Sequence, residues 1–162
     1  MNENILRRHT KQILTALHYI HSHEKKIIHG DLKAANVLFD GRLVKLTDFG
    51  DSRIMGSQVP NLQVSHSGLN FKDIKGSILW MAPEILRELP IGTRSDIWSL
   101  GQTLIELATA QNPWPNIRDL SDLFERIEKC EPPEVPNHLS TDAQDFITQC
   151  LQYDKDKRPS AL

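Results

Sequence analysis

No run of apolar residues in this 162-residue chain approaches the length of a membrane span, and the segment after Met1 lacks the apolar core of a signal peptide. Neither sign of charge dominates: 19 Lys and Arg against 21 Asp and Glu give a net charge of −2, without the basic footprint that DNA or an anionic membrane selects. No cationic run exceeds two residues, and pairs such as Arg7-Arg8 and Lys25-Lys26 are short enough to be solvated helix faces or helix ends. Cysteine is scarce. Cys130 and Cys150 fall in helical patterns without metal-ligand spacing, so reduced thiols in an intracellular, cytoplasmic protein are the expectation. None of the eight glycines stands in a G-x-G pair, which excludes a glycine-rich phosphate-cradling loop from these residues. Repeats and low-complexity tracts are missing too, and 39% hydrophobic with 25% charged residues is ordinary for a chain that builds one sizeable core.

What the chain does have is concentrated between His29 and Gly50. Two short motifs, His29-Gly30-Asp31-Leu32-Lys33-Ala34-Ala35-Asn36 and Asp48-Phe49-Gly50, flank the apolar runs Val37-Leu38-Phe39 and Leu43-Val44-Lys45-Leu46. Asp40-Gly41 between those runs is a turn pair that accepts positive φ, so a hairpin is expected, with both motifs meeting at its open end. That convergence places a candidate base, a cation and two metal-capable oxygens on adjoining loops, the set that moving a phosphoryl group demands.

These residues resemble the eukaryotic protein kinases. The catalytic-loop pattern H-R-D-L-x-x-x-N is met at every fixed position except Arg, where Gly30 stands, and the D-F-G and A-P-E signatures follow as Asp48-Phe49-Gly50 and Ala82-Pro83-Glu84. The resemblance implies that Asp31 orients the substrate hydroxyl and accepts its proton, and that Lys33 binds and stabilises the moving phosphoryl of ATP. It implies further that Asn36 and Asp48 hold Mg²⁺ and that Leu38 is the apolar floor for adenine. His29, Phe49, Ser77, Glu84, Asp96 and Arg158 become structural supports. Lys33 two residues after the Asp is the arrangement of Ser/Thr kinases, unlike the Ala and Arg usual in tyrosine kinases. The words Gly76-Ser77-Ile78-Leu79-Trp80-Met81 and Ser95-Asp96-Ile97-Trp98-Ser99-Leu100-Gly101 are most similar to the MAP kinase kinase kinase group.

The rest of the chain reads as mainly α. Ile5, His9, Ile13, Leu17 and Ile20 recur at helical spacing over Asn4 to His23, and Ile27-Ile28 is expected to be a short strand. His18, His21 and His23 lack the Glu or Cys company of a zinc site, and capping or partial burial near the helix end is the favoured role. From Asp51 to Lys75 periodicity vanishes among Gly56, Pro60 and Gly68, a long loop that in a kinase is the activation segment, with Ser52, Ser57, Ser65 and Ser67 as candidate acceptors. Ser77 resembles instead the hydroxyl that bridges to the catalytic Asp and Lys. Ser95 to Ala110 is apolar on nearly all faces and so belongs in a core, capped by Thr93 or Ser95 and stopped by Asn112-Pro113-Trp114-Pro115. In the family its Asp, here Asp96, holds the catalytic-loop backbone. Leu120, Leu123, Phe124 and Ile127 mark another amphipathic helix, and Ser140 caps the last, with Ala143, Phe146, Ile147 and Leu151 inward. Arg158 matches the residue that pairs with the Glu of Ala-Pro-Glu, here Glu84.

The resemblance covers nearly the whole chain but only part of the family's domain. With no G-x-G loop and no strand bearing the V-A-x-K Lys, residues 1–162 are expected to be a large lobe, running from the helix before the catalytic loop to the start of the last helix. The missing small lobe is expected in the parent chain, and this portion alone is expected to be inactive. The parent would transfer the ATP γ-phosphoryl to Ser or Thr of a protein substrate in a signalling cascade. The alternative is a catalytically inactive, kinase-like binding or scaffold module. Gly30 carries a further expectation: without the family's Arg there is no cation for activation-segment phosphate to neutralise, so basal activity should not depend on phosphorylation of Ser52, Ser57, Ser65 or Ser67. Glycine there should also loosen the loop.

Overall fold

The computed structural model describes residues 1–55 and 77–161, which are mainly helical with two small antiparallel ladders. The expected loop punctuation at Gly56, Pro60 and Gly68 and the candidate acceptors Ser57, Ser65 and Ser67 lie outside the described residues. Helix α1 (Glu3–His21) starts where the Asn2 side chain accepts the Asn4 N–H, satisfying one of the free amides of the first turn. Its buried stripe is Leu6, His9, Ile13, Leu17, Ile20 and His21. Ile5, expected in that stripe, is instead 48% exposed, because one residue along a helix turns the side chain by about 100° and Leu6 takes the inward position.

Strands β2 (Val37–Phe39) and β3 (Val44–Leu46) form the expected hairpin, pairing Val37 with Leu46 and Phe39 with Val44. Its turn is longer than the Asp40-Gly41 pair. Asp40 Oδ1 accepts the N–H groups of Arg42 and Leu43, Gly41 takes a φ of 93°, and Leu43 leaves the strand for solvent. Helix α1 fastens this hairpin from the side through Gln12, whose Oε1 accepts the Val44 N–H at 2.7 Å. A second ladder joins β1 (Ile27–Ile28) to β4 (Arg53–Ile54) in the register Ile27 with Ile54 and Ile28 with Arg53.

After the short α2 (Pro83–Leu86) comes α3 (Thr93–Thr109), with every residue from Ser95 to Ile105 buried. Trp98, Leu100, Ile97 and Leu104 of α3 meet Ile13 and Leu17 of α1 in one cluster, each fully buried apolar side chain contributing about 1.5–3 kcal/mol of transfer free energy. The helix begins two residues before the expected Ser95: Gly92 is the N-cap, and Ser95 Oγ accepts the Gly92 N–H rather than standing at the cap itself. Its end falls where expected, at a left-handed Ala110 whose N–H reaches Glu106 O, just before the Asn112–Pro115 run. Helix α4 (Leu120–Glu128) and α5 (Thr141–Cys150) complete the core, α5 capped by Ser140 as its sequence predicts. Cys130 is not helical; it takes the left-handed position just past α4 with φ 55°. Among the described residues, no helix is long and apolar enough to cross a membrane.

Candidate active site

The loop from His29 to Asn36 is tied to the core helix before any chemistry is considered. Asp96, 1% exposed on α3, accepts the His29 N–H at 2.8 Å on one carboxylate oxygen and the Gly30 N–H at 3.0 Å on the other, and His21 Nε2 lies 2.8 Å from the first. Thr103 donates to Leu32 O, and Glu106 Oε2 accepts both the Ala34 N–H and the Trp80 indole N–H at 2.9 Å. His29 is fully buried. Its Nδ1 accepts the Asp31 N–H, its Nε2 faces Thr47 O at 3.1 Å, and its ring lies 4.8 Å from that of Phe49. One side chain thereby spans the two motifs.

Asp31 is 7% exposed and its Oδ2 receives Lys33 Nζ at 2.8 Å and Asn36 Nδ2 at 2.9 Å. The same Asn36 amide donates to the Asp31 backbone carbonyl at 2.7 Å, so the carboxylate is fixed in rotation as well as position. Lys33 Nζ goes on to Ser77 Oγ at 2.5 Å, which places Ser77 on the lysine rather than directly on Asp31. The remaining atom, Asp31 Oδ1, is buried with no partner among the described residues. A buried carboxylate oxygen left unpaired costs about 1–3 kcal/mol or more, so it marks an acceptor awaiting a donor.

Asp48 stands at the same open end of the hairpin, just past β3, joined to this network through Thr47, whose N–H and hydroxyl both reach Asn36 O. It adopts the left-handed conformation, φ 61° and ψ 67°, and caps the turn Phe49–Asp51 by accepting the Gly50 N–H. Asp48 is exposed, as are Phe49 at 45% and Leu38 at 53%. A non-glycine residue at positive φ is sparsely populated and clusters at sites where side-chain aim matters. Gly30 is also left-handed, φ 81°, but it is not loose: the Asp51 backbone packs directly against it.

Glu84 and Arg158 meet away from this cluster. The guanidinium makes paired hydrogen bonds of 2.7 Å to both Glu84 oxygens, and Ser95 Oγ adds a third at 2.8 Å. Burial alone would raise the Glu84 carboxyl, but the hydrogen bonds and charge of Arg158 outweigh it and hold the group below the usual carboxylate range. The structure thus gathers Asp31, Lys33, Asn36 and Ser77 into one network, sets His29 and Asp96 behind it, Asp48 beside it, and makes Glu84–Arg158 a separate clasp. Gln12, Ser99, Thr103 and Glu106 complete the support and were not singled out from sequence. Ser99, Thr103 and Glu106 recur along one side of α3 at helical spacing, which was the available signal.

A model described as the protein kinase domain matches residues 1–162. Mitogen-activated protein kinase kinase kinase A of Dictyostelium discoideum is 41% identical over 164 residues, covering 99% of this chain and 16% of that protein. Mitogen-activated protein kinase kinase kinase 2 of Arabidopsis thaliana is 38% identical over 161 residues, covering 98% of this chain and 23% of that protein. The YODA kinase kinase kinase of the same plant is 38% identical, with 98% and 17% covered. The chain therefore spans a quarter or less of the length of these relatives.

Proposed function

The chain belongs to the protein kinase family, and from that premise we propose that residues 1–162 form the large lobe of a Ser/Thr kinase of the MAP kinase kinase kinase level, whose small lobe lies outside these residues. The reaction is transfer of the ATP γ-phosphoryl to a Ser or Thr hydroxyl of a protein substrate. The observation that carries this reading is the network on Asp31: Oδ2 held by Lys33 and Asn36, Oδ1 buried and unpartnered. In it the substrate hydroxyl donates to Oδ1, which orients its oxygen for attack and receives its proton late in transfer. Lys33, already steadied by Ser77, supplies the cation beside the transferred group.

The donor set fits Mg²⁺. Both hydrogen bonds of the Asn36 amide nitrogen go to Asp31, leaving Asn36 Oδ1 as a hard oxygen ligand, and Asp48 offers an exposed carboxylate. No group of three or more His, Cys, Asp or Glu gathers for a metal among the described residues, which suits an ion that takes one or two protein oxygens and completes its shell with phosphate and water. When bound, Mg²⁺ neutralises phosphate charge. Leu38, half-exposed on β2, is the apolar floor for adenine.

The test uses the full-length protein. Asp31→Asn should lower phosphoryl transfer about a hundredfold or more while nucleotide binding stays near the wild-type level. Asp48→Asn should weaken Mg²⁺-dependent nucleotide binding as well. Activity of Asp31→Asn within a fewfold of wild type removes Asp31 from its role, and a wild-type protein without nucleotide binding favours the scaffold module instead.

A further inference from the structure

Gly30 is where the His29–Asn36 loop departs from the kinase pattern. The missing charge describes what an arginine would add, not what the glycine permits. At φ 81° a side chain is disfavoured on backbone grounds alone. A Cβ built there would lie 2.6 Å from the Asp51 carbonyl oxygen and 3.3 Å from its carbonyl carbon. Both obstacles are backbone atoms, so no change of rotamer relieves the contact.

Neither side of this contact is free to retreat. Gly30 donates to Asp96 Oδ1 at 3.0 Å and is thereby fixed to α3. Asp51 ends the turn Phe49–Asp51, and the next residue is tied down twice: the Ser52 N–H reaches Phe49 O at 3.1 Å and the Ser52 hydroxyl donates to His29 O at 3.1 Å. Beyond it Arg53 and Ile54 pair with Ile28 and Ile27, and the Met55 N–H reaches Lys26 O at 3.0 Å. At the front of the same turn stands Asp48, whose carboxylate accepts the Gly50 N–H.

We propose that Gly30 is a positioning residue: its bare backbone is the seat of Asp51, and through the three-residue turn this contact sets the direction in which Asp48 presents its carboxylate to the metal-bound nucleotide. The inference rests on the kinase reading above. It also alters the meaning of the departure. Gly30 is then more than a missing charge: an arginine, or even an alanine, cannot be inserted there without displacing the backbone contact with Asp51, the residue that ends the turn begun at Asp48. If charge alone mattered, Gly30→Ala would be silent, since alanine adds no charge.

The experiment compares wild type, Gly30→Ala and Gly30→Arg in the full-length protein by two readouts. Hydrogen exchange followed by mass spectrometry should rise tenfold or more in peptides covering 48–55 of both variants, while peptides of α3 keep wild-type protection and so report an intact fold. The Mg²⁺ concentration giving half-maximal nucleotide binding should rise tenfold or more in both, with nucleotide affinity in the absence of Mg²⁺ unchanged. Gly30→Ala within twofold of wild type in both readouts overturns the proposal. So does loss of protection in α3 as well as in 48–55, which would make Gly30 a folding residue without a positioning role. Should wild type bind no Mg²⁺–nucleotide, the kinase reading falls, and the exchange result alone decides whether Gly30 seats Asp51.

Discussion

Arg158→Ala is the substitution whose cost follows most directly from the structure. The guanidinium is fully buried and all of its N–H groups are engaged: Nε with Gln152 O, Nη1 with Glu84 Oε1 and Arg94 O, Nη2 with Glu84 Oε2 and Tyr153 O. Its Cζ also lies 5.1 Å from the centroid of the Trp98 ring. Removing it leaves Glu84, 5% exposed, as a buried charge with Ser95 as its remaining side-chain partner, and takes one donor from each of three backbone carbonyls. Breaking a buried pair from one side costs about 3–5 kcal/mol. At about 2–4 °C per kcal/mol for a chain of this size, the melting temperature should fall by about 6–20 °C. The penalty should also depend on pH. In wild type Glu84 titrates below its ordinary value, so its contribution is complete above the unfolded carboxylate range and is lost as pH falls through the folded value. Without Arg158, burial dominates and the Glu84 carboxyl moves up, so protonation relieves the variant first. The difference between variant and wild type should therefore be greatest near neutral pH and shrink on acidification. Urea unfolding of both proteins at several pH values measures it. A loss below about 1 kcal/mol at pH 7, or a loss that grows on acidification, would refute the reasoning.

Three other perturbations probe the core. Gln102 is fully buried on α3 with neither amide atom partnered among the described residues, so the near-isosteric Gln102→Met should stabilise the protein by about 1–3 kcal/mol in urea unfolding; destabilisation would reveal a bound water or other partner. Gly101→Ala would put a Cβ 2.9 Å from Cys150 Cβ and 3.1 Å from the Leu151 side chain, and should lower stability by about 1–3 kcal/mol through overpacking between α3 and α5; an unchanged unfolding midpoint would contradict this. Of the two thiols, exposed Cys130 should react promptly with Ellman's reagent, whereas Cys150, buried and pushed up to about 12 by desolvation, should react only after unfolding; equal native rates would refute that burial.

Local chemistry accounts for what was legible beforehand. The hairpin between the two motifs, the burial of α3, the Ser140 cap and the Glu84–Arg158 clasp all rest on signals contained within a few residues or on an ordered motif set. The failures have different causes. Ile5 and Leu6 both suit an amphipathic stripe, and only packing against α3 decides which turns inward. Gly92 rather than Thr93 or Ser95 caps α3, a position that glycine also favours but that the neighbouring hydroxyl residues masked. Glu106 and Thr103 are ordinary polar residues in a helix until a loop some 70 positions earlier meets them, at separations of 72 and 71 residues. Gly30 was read through the charge it lacks, whereas its packing depends on Asp51, 21 positions on by number and adjacent in space.

Asp96 has one more consequence, and it concerns protons. Both of its oxygens face N–H donors: Gly30 on one, His29 and the ring nitrogen of His21 on the other. A carboxylate has nothing to give in return, so the hydrogen in the His21 contact resides on Nε2, and the tautomer of a histidine on α1 is dictated by a residue on α3. An asparagine would have the same shape and the wrong polarity. Whichever way its amide were turned, an NH₂ would oppose a backbone N–H, repelling the loop that Asp96 now holds. Near isosterism gives no protection here, because the position is specified by its count of lone pairs and not by its volume.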